Sequence, residues 1–215
     1  MQIAGFSTRL VHIDLDSLAV DLRTVARLED HVDGDLLLRD PQAPEPPYWA
    51  HLWPASRALA RLLATSIECA GLRLLEVGCG LGLVGIVAAR RSAIVTMFDH
   101  DEAGVAFARE NLALNGVQAT VSRLDLYDTR LSGPFDLICA ADVTYDPSLQ
   151  RALGELAVRT LAPNGRLLCT ESVRTFDHDL RDVCAAHGLQ VNESILSEVD
   201  EGRKVRVKLT EGRRA

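Results

Sequence analysis

No stretch of the 215-residue chain stays apolar long enough to span a bilayer. The longest run, Leu83 to Ala89, is broken by glycine and falls far short of the roughly 20 residues a spanning helix needs. The first ten residues, MQIAGFSTRL, lack the basic-then-apolar order of a signal peptide. Positive charge is also scarce: 23 Lys and Arg stand against 30 Asp and Glu, for a formal net charge of −7. A surface of that sign opposes non-specific attachment to nucleic acid or to anionic membranes, so neither partner is expected. One basic segment runs against the trend, with Arg203, Lys204, Arg206 and Lys208 close together near the C-terminus. The five cysteines, at 69, 79, 139, 169 and 184, include no C-x-x-C pair of a zinc knuckle or redox motif. Cys139 and Cys169 sit in apolar runs, as small buried hydrophobes do, and reduced thiols fit a cytoplasmic location. Disordered and collagen-like compositions are excluded by a 47% hydrophobic share.

Proline is unevenly spread. Five of the eight prolines fall between Asp40 and Pro54, in DPQAPEPPYWAHLWP, which reads as a loop. Before it, Leu18, Leu22, Val25 and Leu28 recur at helical spacing behind a candidate cap at Asp16, so a helix is expected there. After it, Ser56 to Ile67 reads as a helix with Leu59, Leu62 and Leu63 on one face. From residue 72 the pattern turns regular. Apolar runs at 74–77, 94–98, 119–122, 137–140 and 167–169 alternate with helical stretches at 83–91, 102–115, 148–161 and 179–187. Short, wholly apolar strands are buried on both faces, as in a parallel sheet between helices, so the expected fold is doubly wound α/β. The chain ends in two extended runs, 190–196 and 204–210, joined by the turn Asp200-Glu201-Gly202-Arg203. Strands joined that closely pair antiparallel, which adds an antiparallel C-terminal strand to a mostly parallel sheet.

In such sheets ligands bind at the carboxyl ends of the strands, where strand order reverses. There the sequence reads Leu74-Leu75-Glu76-Val77-Gly78-Cys79-Gly80-Leu81-Gly82-Leu83. Gly80-x-Gly82-x-x-Gly85 formally matches the dinucleotide fingerprint, but that fingerprint opens on the glycine directly after the strand. Here that glycine is Gly78, and counting from it puts Leu83 where the third glycine belongs. Downstream, Asp99 closes the second strand, about where a carboxylate accepts hydrogen bonds from both ribose hydroxyls. Asp125 follows the third strand, within reach of an adenine amino group, and Asp142 follows the fourth. The bland alternative is a solvated acidic rim.

With Glu76-x-Gly78-x-Gly80-x-Gly82, Trp53-Pro54 and Asp142-Val143-Thr144-Tyr145, the chain resembles the class I, seven-β-strand methyltransferases that use S-adenosylmethionine (SAM). More narrowly, it is similar to the methyltransferase-like family that includes many protein-lysine methyltransferases. The resemblance covers about residues 48 to 210 and implies a seven-stranded Rossmann-like methyltransferase domain over 48–215. Residues 1–47 would be an N-terminal extension packed on that core. It implies SAM contacts from Trp53, Gly78, Cys79, Gly80, Asp99, Leu126 and Ala141, joined by Glu76, Gly82 and Asp125 of the same loops. Asp142 and Tyr145 would stand where the methyl group meets its acceptor. Leu126 departs from the pattern, since many relatives carry tryptophan there. The acceptor would be a protein lysine, or else a small molecule or another protein side chain such as arginine; a SAM-binding or NAD-binding protein without transferase activity is the reading from another class. Trp49, Trp53 and Tyr145 are candidate walls of an acceptor channel, with Asp146, Glu171 and Asp177 as a negative entrance for a basic substrate. For His51 a surface or packing role is expected.

Overall fold

The computed structural model describes residues 1–32, 46–128, 130–172 and 180–214. The chain opens with β1 (Gln2–Ile3), β2 (Phe6–Asp14) and β3 (Ala19–Val25) and a 3-10 turn at Leu28–His31. A second 3-10 turn, Tyr48–Ala50, leads into α1 (Pro54–Thr65). The alternating part follows as β4 (Arg73–Val77), α2 (Leu83–Arg90), β5 (Ile94–Asp99), α3 (Glu102–Leu114), β6 (Thr120–Arg123) and β7 (Phe135–Ala141). It continues with α4 (Pro147–Thr160), β8 (Leu161–Ser172), α5 (Leu180–Ala186), β9 (Gln190–Asp200) and β10 (Arg203–Arg213).

Seven strands form one sheet in the order β6-β5-β4-β7-β8-β10-β9. The pairings from β6 through β8 are parallel, whereas β10 runs antiparallel to both neighbours. The expected doubly wound sheet and its antiparallel C-terminal strand are both present. The chain winds outward from β4 through β5 to β6, then returns to place β7 on the other flank of β4. Val77 is therefore in register with Phe98 on one side and with Ala140 on the other. The crevice left by that reversal opens directly beyond Val77 and Ala140, which sets the position of the site.

Local sequence explains most element boundaries. Pro54 starts α1 at the position where a missing N–H costs nothing, and the Ser56 hydroxyl donates to the Trp53 carbonyl at 2.8 Å. Asp101 caps α3 by accepting from the Ala103 amide at 2.7 Å, and Asp146 caps α4 in the same way on Ser148. Leu74 and Leu75 on β4 and Leu137 and Ile138 on β7 are essentially inaccessible, as strands between two helical layers require. All five cysteines are buried and unpaired by disulfides, Cys139 and Cys169 as their apolar runs suggested. Among the described residues, no helix is long and apolar enough to cross a membrane.

The N-terminal reading needs correction. Residues 19–25 form a strand, not a helix, in a three-stranded antiparallel sheet of order β1-β2-β3. Val20, Leu22 and Thr24 are buried at every second position, the period of a pleated strand. The match of 18, 22, 25 and 28 to a helix was fortuitous. Asp16 caps no helix either, since it sits at φ 68° in the turn between β2 and β3. What anchors β3 lies far along the chain. Asn111 Oδ1 accepts from the Arg23 amide at 2.7 Å while its Nδ2 donates to the Arg23 carbonyl at 3.1 Å. Asn115, just past the end of α3, treats Asp21 in the same way, at 3.2 and 2.7 Å. Residues i and i+2 of a strand are about 6.8 Å apart and residues i and i+4 of a helix about 6 Å, so two side-chain amides pair with the open edge of β3 as a neighbouring strand would. Leu15, Leu22 and Val25 then join the same core as Leu59, Leu63 and Ile86. The expected loop at 40–54 lies partly outside the described residues, as do Asp177 and the first residue of the helix expected at 179–187.

Candidate functional site

The turn after β4 is held from two sides. Gly78 has φ 62°, and a Cβ there would lie 2.5 Å from the Val143 side chain. Gly80 has φ 47°, and a Cβ there would lie 2.8 Å from the Trp49 carbonyl. Glycine is therefore required at both positions by conformation and by close neighbours within the protein. Glu76, two residues before the turn, accepts from the Gly85 amide at 2.8 Å and so holds the first turn of α2 against β4. It is only 5% exposed, and burial pushes its carboxyl up to about 8, against the opposing pull of the Gly85 amide.

Asp99, at the end of β5, faces the same space. Its Oδ2 accepts from the Gly80 amide at 2.7 Å and its Oδ1 from the Asp101 amide at 3.0 Å. Burial raises its pKa, and those two amides hold it down. On the far side, after β7, Asp142 adopts φ 53°, a left-handed conformation uncommon for aspartate. Its carboxylate accepts from the Ser172 amide at 2.8 Å and from the Ser172 hydroxyl at 2.7 Å. Two residues on, buried Thr144 donates to Glu171 Oε1 at 2.5 Å, and its carbonyl accepts from Gln150 Nε2 at 3.2 Å. The 142–145 segment is thus tied down at both ends of its turn.

Between these groups lies a cavity open to solvent, about 920 Å³ when its mouth is counted. Of the residues proposed from sequence, Trp53, Glu76, Gly78, Cys79, Gly80, Asp99, Leu126, Ala141, Asp142 and Tyr145 all line it. Gly82 and Asp125 do not. Gly82 turns the chain into α2 at φ 81°, and Asp125 is exposed, accepting from the Tyr127 amide at 3.0 Å to close its own loop. The expected negative entrance is not formed by Glu171 or Asp146. Glu171 is held by Thr144 and by Lys208 Nζ at 3.3 Å, and Asp146 is spent on capping α4. Trp49 lines the cavity as expected, but most of its ring is core, 8% exposed and 5.0 Å from Phe107.

The mouth is aromatic. Tyr48, absent from the sequence reading, lies 6.4 Å from Trp53 and 6.1 Å from Tyr145 between ring centroids. His51 packs edge-on against Trp53 at 4.5 Å, and desolvation of its ring lowers its pKa against the opposing pull of Asp200. Tyr48 and Tyr145 are 45% and 47% exposed, so their rings are open to an incoming group. A carboxylate at the end of β5, apolar Phe98, Leu124 and Leu126 beside it, and an aromatic mouth form a polar and apolar lining that fits SAM. Among the described residues no cluster of His, Cys, Asp or Glu is arranged to hold a metal ion.

The family model of the methyltransferase small domain matches residues 49–180. The chain belongs to this methyltransferase family. It is 33% identical over 122 residues to the electron transfer flavoprotein beta subunit lysine methyltransferase of Xenopus laevis, covering 55% of this chain and 49% of that protein. It is 37% identical over 108 residues to a protein N-lysine methyltransferase of Danio rerio, covering 45% of this chain and 48% of that one. The chain thus spans about half the length of the curated relatives it matches. Among solved structures, a T. thermophilus 16S rRNA methyltransferase in complex with AdoMet and guanosine superposes with a TM-score of 0.67. That likeness covers 97% of this chain and 51% of the other at 18% identity, which speaks to the fold alone. Relatives named for protein and for RNA acceptors share this fold, so the expected exclusion of nucleic acid finds no support here.

Proposed function

We propose that this chain transfers the methyl group of SAM to a lysine side chain of a protein. The observation that carries the reading is the pairing of a carboxylate-ended, apolar cavity floor with an open aromatic mouth at Asp142-Val143-Thr144-Tyr145. Bound SAM supplies a methyl group on a positively charged sulfur, which leaves as a neutral thioether. What remains for the protein is orientation and desolvation, and no covalent nucleophile is needed.

Asp99 would hold the ribose hydroxyls; the Gly80 and Asp101 amides already fix its carboxylate in place. Leu124 and Leu126 would cover the adenine, Gly78 to Gly80 and Glu76 would border the methionine end, and Trp53 and Ala141 would complete the wall. A lysine ammonium has a pKa of about 10.4 in water and must lose a proton before it can attack. Tyr48, Trp53 and Tyr145 offer ring faces that attract the cation at the mouth, and the partly dry interior beyond them favours the neutral amine. Asp142 and Tyr145 would orient the amine. Ser172 holds the Asp142 carboxylate in one direction, which makes it a positioning residue for that step.

The test supplies purified protein with methyl-labelled SAM and a soluble protein extract. Label is expected on lysine in one or a few protein bands, read by mass spectrometry. Label recovered only in RNA or in small molecules would replace the lysine reading with another acceptor class.

A further inference from the structure

The basic segment noted in the sequence meets the cavity. A shallow groove leaves the mouth along the start of β10, bounded by His51, Trp53, Ser172, Lys204, Val205 and Arg206. His51 and Trp53 line both groove and cavity, and Ser172 is the residue bonded to Asp142, so the two spaces are continuous. Lys204 and Arg206 alternate on one face of the strand, both exposed, and among the described residues neither has an ion-pair partner. The next cation on that face, Lys208, is already held by Glu171 at 3.3 Å and Glu193 at 3.6 Å. Asp200, the acidic residue in the groove, is matched by Arg57 at 2.8 Å, leaving Glu201 of the turn and Asp142 behind Ser172 as the opposing charges nearby. The row of cations is therefore neutralised away from the cavity and left open beside it, on a chain whose net charge is −7.

We infer that this groove receives an acidic stretch of the acceptor polypeptide, flanking the residue that enters the cavity. The inference rests on the lysine reading above and names the sequence context that reading would select. Alternate side chains of an extended peptide repeat at about 6.8 Å, the spacing of Lys204 and Arg206, so two acidic side chains two residues apart can pair with both. Trp53 and Val205 supply an apolar floor for the peptide between those contacts. A nucleic acid fits less well. Its affinity is built from many phosphate contacts along a basic track, and two open cations on an acidic surface make a short one.

The experiment uses three synthetic peptides of equal length, each with one central lysine. One carries glutamates before the lysine, one carries them after it, and one has serines at those places. Binding to the protein saturated with S-adenosylhomocysteine is read by fluorescence anisotropy, and methyl transfer is read with labelled SAM. One acidic peptide is expected to bind roughly three- to tenfold tighter than the serine peptide, as two exposed ion pairs allow. The preference should shrink as salt is raised. It should vanish in the double variant Lys204→Ala and Arg206→Ala, whose SAM affinity stays that of the unmodified chain. Equal binding of all three peptides, or a preference that survives the double substitution, overturns the inference. So does a single-stranded RNA oligonucleotide that binds more tightly than the acidic peptides and is released by the same variant. If the acidic preference holds and is lost in the variant while no lysine in peptides or extract is methylated, the groove stands and the lysine reading fails. If the variant methylates extract proteins as fast as the unmodified chain, the reading stands and the groove fails.

Discussion

Asn111 is inaccessible to solvent and makes three hydrogen bonds through its side chain. Its Oδ1 accepts from the Arg23 amide at 2.7 Å, and its Nδ2 donates to the carbonyls of Arg23 at 3.1 Å and Leu81 at 2.9 Å. Leu81 lies inside the glycine turn, so one side chain joins the N-terminal sheet, α3 and the floor of the site. Asn111→Ala removes all three bonds and strands one half-buried donor and two acceptors, of which the Leu81 carbonyl is buried. A buried polar group left without its partner costs about 1–3 kcal/mol, with carbonyls toward the low end. Water reaching Arg23, which is half-buried, offsets part of this, and alanine returns about half a kcal/mol of helix propensity. The expected net loss is about 2–4 kcal/mol. At about 2–4 °C per kcal/mol for a domain of this size, Tm should fall by roughly 5–15 °C. Urea unfolding of the cofactor-free protein measures the loss directly. Asn111→Asp separates the roles, because the carboxylate still accepts from the Arg23 amide but turns acceptors toward two carbonyls. That variant should be no more stable than Asn111→Ala at neutral pH. A loss below about 1 kcal/mol in Asn111→Ala would refute the claim that this side chain stands in for the missing strand partner of β3.

Glu76 gives a pH signature. Its carboxyl is pushed from an ordinary 4.5 up to about 8 in the folded chain, so between those values the folded state holds a proton that the unfolded state has released. Stability should therefore fall as pH rises through that window. Glu76→Gln, which keeps an acceptor for the Gly85 amide, should flatten that part of a Tm-against-pH curve; an unchanged slope would assign it to other groups. Asp99→Ala should weaken SAM binding roughly tenfold to a thousandfold in calorimetric titration, from the loss of a charged acceptor worth about 1.5–3 kcal/mol per hydrogen bond. Affinity unchanged in a folded variant would mean that the ribose sits elsewhere. Tyr145→Phe and Asp142→Asn should leave SAM affinity within a few-fold while turnover drops about tenfold or more, a barrier increase of about 1.4 kcal/mol for each tenfold. Full activity in both would remove the 142–145 segment from the acceptor site.

The alternating sheet was legible in the sequence by itself, because β4 and β7 are buried on both faces and show it as short, mainly apolar runs between turn residues. So was most of the cavity, since Glu76, Gly78, Gly80, Asp99 and Asp142 all stand within a few residues of a strand end, and a parallel sheet brings its strand ends to one edge. The register of the glycines from Val77 was legible for the same reason: it depends on neighbours along the chain. Tertiary structure alone decided what depends on partners far apart in sequence. Strand β3 is held between β2 and the side chains of Asn111 and Asn115, some 90 residues downstream, whereas its local pattern also matched a helix. Asp125 turned out to close its own loop, because residue type at a strand end does not say which way the side chain points. Glu171 looked like an open charge until the antiparallel register set Lys208 beside it. Tyr48 carried no motif, and only the 3-10 turn at Tyr48–Ala50 brings its ring to Trp53 and Tyr145. Asp142 was recognisable from its motif, but the Ser172 bonds that aim it cross between neighbouring strands. Periodicity and strand-end position are local properties of the chain, while side-chain direction and charge pairing are set by whichever element packs against them.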